Sequence, residues 1–135
     1  MRNAVFLFML VFLFSCKKEC EINTLKKEII GTWELEHFSG FPFNQPVLPP
    51  GNGNIIVIAE HNHFERKQHD SLVYHGIYSL QKKKDCYERN SDLIFSTSEP
   101  QANYQYIEIS DGKLLLSTPN CYQDGGTAYY RRLIE

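Results

Sequence analysis

Three observations predict an all-β antiparallel fold. Eight short segments place apolar residues at every second position, turn-forming residues separate them at regular spacing, and no helical period appears after residue 31. Such spacing fits a sandwich or an up-and-down barrel. A barrel of eight strands has an interior just wide enough to be filled by side chains or to hold one small ligand. A short N-terminal helical turn over Asn23 to Ile30 precedes the first strand. Asn23 or Thr24 is its expected cap, Leu25 and Ile29 share a face, and Gly31 ends it.

The first strand is expected over Thr32 to Phe38, with Trp33, Leu35 and His37 on one face. Glu34 and Glu36 fall on the other and are expected to be solvated. Gly40 to Asn54 is rich in Pro and Gly and reads as a long loop. Strands follow over Ile55 to Glu60 and Phe64 to Gln68, with a turn at His61-Asn62 between them. His69-Asp70-Ser71 turns again into Val73 to Lys82. A polar stretch, Lys83 to Asn90, leads to Leu93 to Thr97, and a loop over Glu99 to Asn103 leads to Tyr104 to Ser110. Asp111-Gly112 is the strongest hairpin signal in the chain. Lys113 to Ser117 and Ala128 to Ile134 complete the set, with a loop from Thr118 to Gly126.

The first fifteen residues read as a secretory leader. Arg2 supplies the positive start, and Ala4 to Phe14 is apolar throughout. That run is shorter than the roughly 20 residues a membrane-spanning helix needs. Leu13-Phe14-Ser15-Cys16 resembles the lipobox of bacterial lipoproteins, with Ser15 where Gly or Ala is commoner. The resemblance implies cleavage before Cys16 and acylation of its sulfur and new amino group. Several acyl chains anchor a protein far more firmly than one. Lys17 and Lys18 would then lie against anionic headgroups. The chain divides into a signal peptide (1–15), a lipidated tether (16–23) and one barrel domain (24–135). The expected location is the cell envelope, at the outer membrane.

Removal of the leader takes away Arg2 and no acid, leaving a net charge of −3. That is mild and gives no nucleic-acid footprint. Export leads to an oxidising compartment. With Cys16 lipidated, Cys20, Cys86 and Cys121 remain, an odd number. One disulfide and one spare thiol are expected. Cys20 lies close to the anchor, which favours Cys86–Cys121, with Cys20–Cys86 as the alternative. In an up-and-down barrel the loops carrying Cys86 and Cys121 lie at opposite rims, so that pairing needs a loop that folds over or into the barrel.

Gly31-Thr32-Trp33, entering the first strand behind a helical turn, resembles the Gly-x-Trp signature of the lipocalins and the wider calycin superfamily. With "HGIYSL" at 75–80, "DGKLLLS" at 111–117 and "GGTAYYRR" at 125–132, the chain is similar to small lipocalin-like lipoproteins of the Bacteroidetes type. The resemblance covers about Ile29 to Glu135. It implies the eight-stranded antiparallel up-and-down barrel, with Trp33 plugging its closed end and Arg131 or Arg132 from the last strand packed across the indole. It carries over no single activity.

The expected role is non-catalytic binding of a small apolar molecule at the barrel mouth. Tyr78, Phe95, Tyr104 and Tyr106 are the candidate ligand contacts, and the Gly40 to Asn54 loop, with Phe41 and Phe43, is the candidate lid. The alternative is a filled barrel acting as an envelope interaction module. An enzyme would need ionisable groups converging inside the barrel, such as His37 beside Glu108, and no phosphate loop, nucleophile elbow or zinc-protease helix occurs. His61 and His63, with Glu65, have the spacing of a metal pair on one strand face. Their position at a turn favours a solvated tip, so neither metal nor cofactor is expected. Lys82 to Lys84 read as a solvated edge.

Overall fold

The computed structural model describes residues 20–40, 45–84, 91–100, 104–119 and 124–134. A helix, α1, covers residues 20–29. Eight strands follow: β1 (Gly31–Gly40), β2 (Ile55–Ile58), β3 (His63–Gln68), β4 (Ser71–Lys84), β5 (Ser91–Thr97), β6 (Gln105–Ser110), β7 (Lys113–Ser117) and β8 (Gly126–Leu133). Each pairs antiparallel with the next, and β8 pairs back onto β1, so the sheet closes as an up-and-down barrel without a free edge. Of the two architectures open to the spacing alone, the chain adopts the barrel. No helix among the described residues is long and apolar enough to cross a membrane.

The elements differ from expectation in places with clear causes. The chain is already helical at Cys20, so Thr24 lies inside α1 and caps nothing. Its hydroxyl instead donates to the Cys20 carbonyl four residues back, at 2.9 Å. Strand β4 continues through Lys84, because its second half, from Tyr78 to Lys84, pairs along β5 while its first half pairs with β3. A one-turn 3-10 helix, Glu60–Asn62, takes the place of the simple turn before β3.

The core runs from one end of the barrel to its waist. Leu25 and Ile29 of α1 pack with Trp33, Ile58 and Leu114, and a ring cluster of Phe64, Tyr78 and Phe95 fills the middle. The Phe95 ring stacks on Tyr78 at 5.4 Å and meets Phe64 edge-on at 5.6 Å. Trp33 ties the helix to the sheet. Its Nε1 donates to the Ile29 carbonyl at 2.7 Å, a helix-end acceptor that has no partner within α1. The Arg132 guanidinium lies 4.4 Å over the indole and donates to the Glu28 carbonyl. Gly31 joins α1 to β1 at φ +149°, a conformation that side-chain-bearing residues rarely adopt.

Arg131, paired with Glu34 across the β1–β8 ladder, faces the other way. Its Nε lies 3.3 Å from the Glu34 carboxylate, and its terminal nitrogen donates to the Leu48 carbonyl at 2.5 Å. Glu34 corrects the expectation of a solvated acid, since it is only 1% exposed. It does face outward, but the chain after β1 folds back over it. The Gly51 and Gly53 amides donate to its two oxygens at 3.1 and 3.4 Å. The Gln45 and Leu48 amides bond the Phe38 and Glu36 carbonyls, and the Asn54 carbonyl accepts from Leu35. Segment 45–54 therefore runs along the outer side of β1.

Ile29 is fully buried at the helix–barrel junction. Ile29→Ala is expected to cost about 3 kcal/mol in a urea titration. Lys27→Ala, at an exposed position of the same helix, should stay within about 0.5 kcal/mol.

Candidate binding site at the open end of the barrel

Helix α1 and the 3-10 turn lie at one end of the barrel. The β3–β4, β5–β6 and β7–β8 connections lie at the other. There a cavity of about 360 Å³ opens above the ring cluster. Its floor is apolar: Ile56, Phe64, Phe95 and Leu116. Its wall is polar, formed by Arg66, Thr97, Glu99, Gln105 and Tyr130. Strand alternation produces this layering. Phe64 and Arg66 lie two apart on β3, and Phe95 and Thr97 two apart on β5, so each pair shares the inner face. The deeper member meets the core and the next one up meets the mouth.

Arg66 is held between two strands, opposite Ile56 on β2 and Tyr74 on β4. Its guanidinium pairs with the Glu99 carboxylate. Its Nε is buried with no hydrogen-bond partner among the described residues. Burial pushes the Tyr130 phenol up to about 12, against the opposing pull of the Arg66 charge. The connection after β5 is pinned at Ser98. Its amide donates to the Ile77 carbonyl at 2.9 Å, its hydroxyl accepts from the Ile77 amide at 3.0 Å, and it also bonds the Tyr74 hydroxyl. Tyr74 reaches that position across Gly76, where a Cβ would stand 2.1 Å from its oxygen.

A second, shallower crevice of about 470 Å³ opens in the barrel side. It exists because β5 and β6 pair only at Ile94–Tyr106 and Phe95–Gln105, and diverge below. Glu21, Lys82, Asp92 and Glu108 line it, with Lys82 bonded to Glu21 at 2.6 Å. Charges of both signs alternate there, with no common target.

The sequence-derived candidates do not converge on one site. Phe95 forms part of the cavity floor, while Tyr78 stacks behind it, 2% exposed. Burial raises the Tyr78 phenol, and its oxygen is without a partner among the described residues. Tyr104 lies beneath Lys83, whose Nζ is 4.4 Å from the ring centre. Tyr106 alternates with the core residue Ile107, so it faces outward onto the side crevice. Segment 45–54 contributes no residue to the main cavity, although Asn54 lines a smaller pocket beside it with Ile56, Arg66 and Tyr130. Phe41 and Phe43 lie outside the described residues, as do Cys16, Cys86 and Cys121, and with them both disulfide alternatives. Cys20 is exposed, with no disulfide partner among the described residues.

His37 stacks on Tyr129, with ring centres 4.3 Å apart, on the outer face and away from Glu108. A bulge between Leu35 and His37 shifts the alternation and removes His37 from the face of Trp33. His61 sits in a left-handed conformation at φ 57° and His63 is exposed. Among the described residues no group of three or more His, Cys, Asp and Glu side chains is arranged to hold a metal ion. Sequence reasoning missed Arg66, Glu99, Gln105, Thr97 and Tyr130. One signal was available: if Phe64 points inward, so does Arg66.

Compared with known proteins, the chain matches no protein family, no curated protein and no solved structure. Two pH dependences follow from the geometry. The hydrogen bond from Lys113, 2.9 Å from the Glu36 carboxylate, holds that group below its ordinary 4.5. Its contribution to stability is therefore present above pH 4.5 and lost as pH falls through the folded value. Lys113→Met should move the Glu36 midpoint upward in a carboxyl NMR titration. Tyr130 keeps its proton in the folded protein up to about 12, against 10.0 when unfolded. Stability should thus be insensitive to it below pH 10 and fall between pH 10 and 12, and Tyr130→Phe should flatten that fall in phenolate absorbance and melting curves.

Proposed function

We propose that this chain is a lipocalin-like envelope lipoprotein that binds a small, largely apolar molecule at the open end of its barrel, without catalysis. One observation carries the reading: a barrel plugged at one end by Trp33 and α1 keeps, at the other, a cavity with an apolar floor. Its volume, about 360 Å³, falls at the small end of ligand pockets, roughly 300–1,000 Å³. The leader and the lipobox-like Leu13-Phe14-Ser15-Cys16 support anchoring through acyl chains on Cys16, at the outer membrane. An interaction role has its own support: Leu72, Val73 and Ile77 of β4 are about half exposed. That surface would serve an envelope partner rather than a ligand.

Native mass spectrometry of the full-length protein, isolated from its own envelope, tests the binding role. The wild type should carry a small molecule that Thr97→Phe, which fills the cavity, no longer retains at an unchanged melting temperature. Equal retention by the two would overturn the reading. Anchoring has a separate test. Incorporation of labelled palmitate should vanish in Cys16→Ala, and persistence of the label would remove the lipobox assignment.

A further inference from the structure

The Arg66–Glu99 pair is unequal in its two halves. Arg66 sits in the middle of a strand with ladder partners on both sides. Glu99 sits on a connection, between Ser98, which is pinned to β4, and Pro100, which restricts the backbone before it. The barrel fixes the Arg66 backbone and buries its Nε, whereas the carboxylate can rotate away about its own side chain without moving the backbone. Both groups are partly open to solvent, at 38% and 22% side-chain exposure. A partly exposed ion pair is held weakly, so exchanging one carboxylate for another is close to balanced. Glu99 also leaves the guanidinium underused. It engages one terminal nitrogen, and the buried Nε has no partner among the described residues. Guanidinium groups bind carboxylates best through two parallel N–H donors. Directly below lie Ile56, Phe64, Phe95 and Leu116, an apolar floor.

Resting on the binding role proposed above, we infer that Arg66 is the anchor of an anion subsite in the barrel mouth. Glu99 holds that subsite until a ligand carboxylate takes its place, and the ligand is a single-tailed amphiphile with a carboxylate head. The tail covers the apolar floor. The head takes both Nε and the terminal nitrogen of Arg66. Glu99 rotates outward to water at the rim. Its charge thus competes with the ligand, so removing that charge strengthens binding.

The test titrates the full-length protein in lipid nanodiscs, against empty discs, with decanoate and with decanol. Wild type should bind decanoate about tenfold more tightly than decanol, the factor expected for a charge-assisted bond over a neutral one. Glu99→Gln, which keeps the shape and removes the competing charge, should tighten decanoate several-fold and leave decanol unchanged. Arg66→Met should abolish the preference. If that variant does not fold, Glu99→Gln decides alone. Equal binding of the two probes by wild type, or no gain in Glu99→Gln, overturns the subsite while the binding role stands. Failure of wild type to bind either probe overturns both.

Discussion

The barrel depends on where one indole goes. Trp33 carries a polar N–H into the apolar plug of the barrel, and a buried donor left unpaired costs about 1–3 kcal/mol. The Ile29 carbonyl takes it. That carbonyl belongs to the last turn of α1, where carbonyls have no partner within the helix. Each group thus satisfies the other. Arg132 completes the arrangement, with its cation over the ring and its N–H on the Glu28 carbonyl. A single cluster joins the helix, the first strand and the last strand, across the seam where the sheet closes. A helix this short is marginal alone in water. It is stable here because Leu25 and Ile29 are buried beneath the strands.

Closing one end decides what the other can do. The ring cluster fills the waist, and a cavity remains above it, where strand alternation brings up Arg66, Thr97, Gln105 and Tyr130. The cavity is layered, apolar below and polar above. A second latch fixes the chain between β1 and β2, whose Gly53 carbonyl accepts from the Asp70 amide of the β3–β4 turn at 3.0 Å. Glu34 captures the Gly51 and Gly53 amides and pairs with Arg131, which holds segment 45–54 against the outside of β1. Gly51 and Gly53 take left-handed conformations at φ +79° and +72°, which suits the tight winding of that segment around a carboxylate.

The strands were legible because their alternation is local, and Asp111-Gly112 set one register outright. What was not legible depends on partners distant in sequence. Glu34 and Glu36 read alike on the strand, yet one is buried by a returning loop and the other meets Lys113 at the surface. Outward on a barrel is not the same as solvated. The bulge after Leu35 moved His37 to the other face, and a bulge leaves little trace in a sequence. Arg66 was overlooked because His63-Phe64-Glu65-Arg66-Lys67-Gln68 has one apolar residue among five polar ones. Its inward direction follows from alternation with Phe64, once that ring is known to be in the core. The emphasis on aromatics pointed at the packed waist, whereas the mouth is lined largely by residues of mixed chemistry.

Because the chain holds a single tryptophan, acrylamide quenching of its fluorescence in the folded full-length protein tests the plugged barrel most directly. An indole sealed between α1 and Arg132 should emit at short wavelength and resist quenching until the protein unfolds. Emission typical of a hydrated indole, quenched as readily in the native protein as in the denatured chain, would contradict the account.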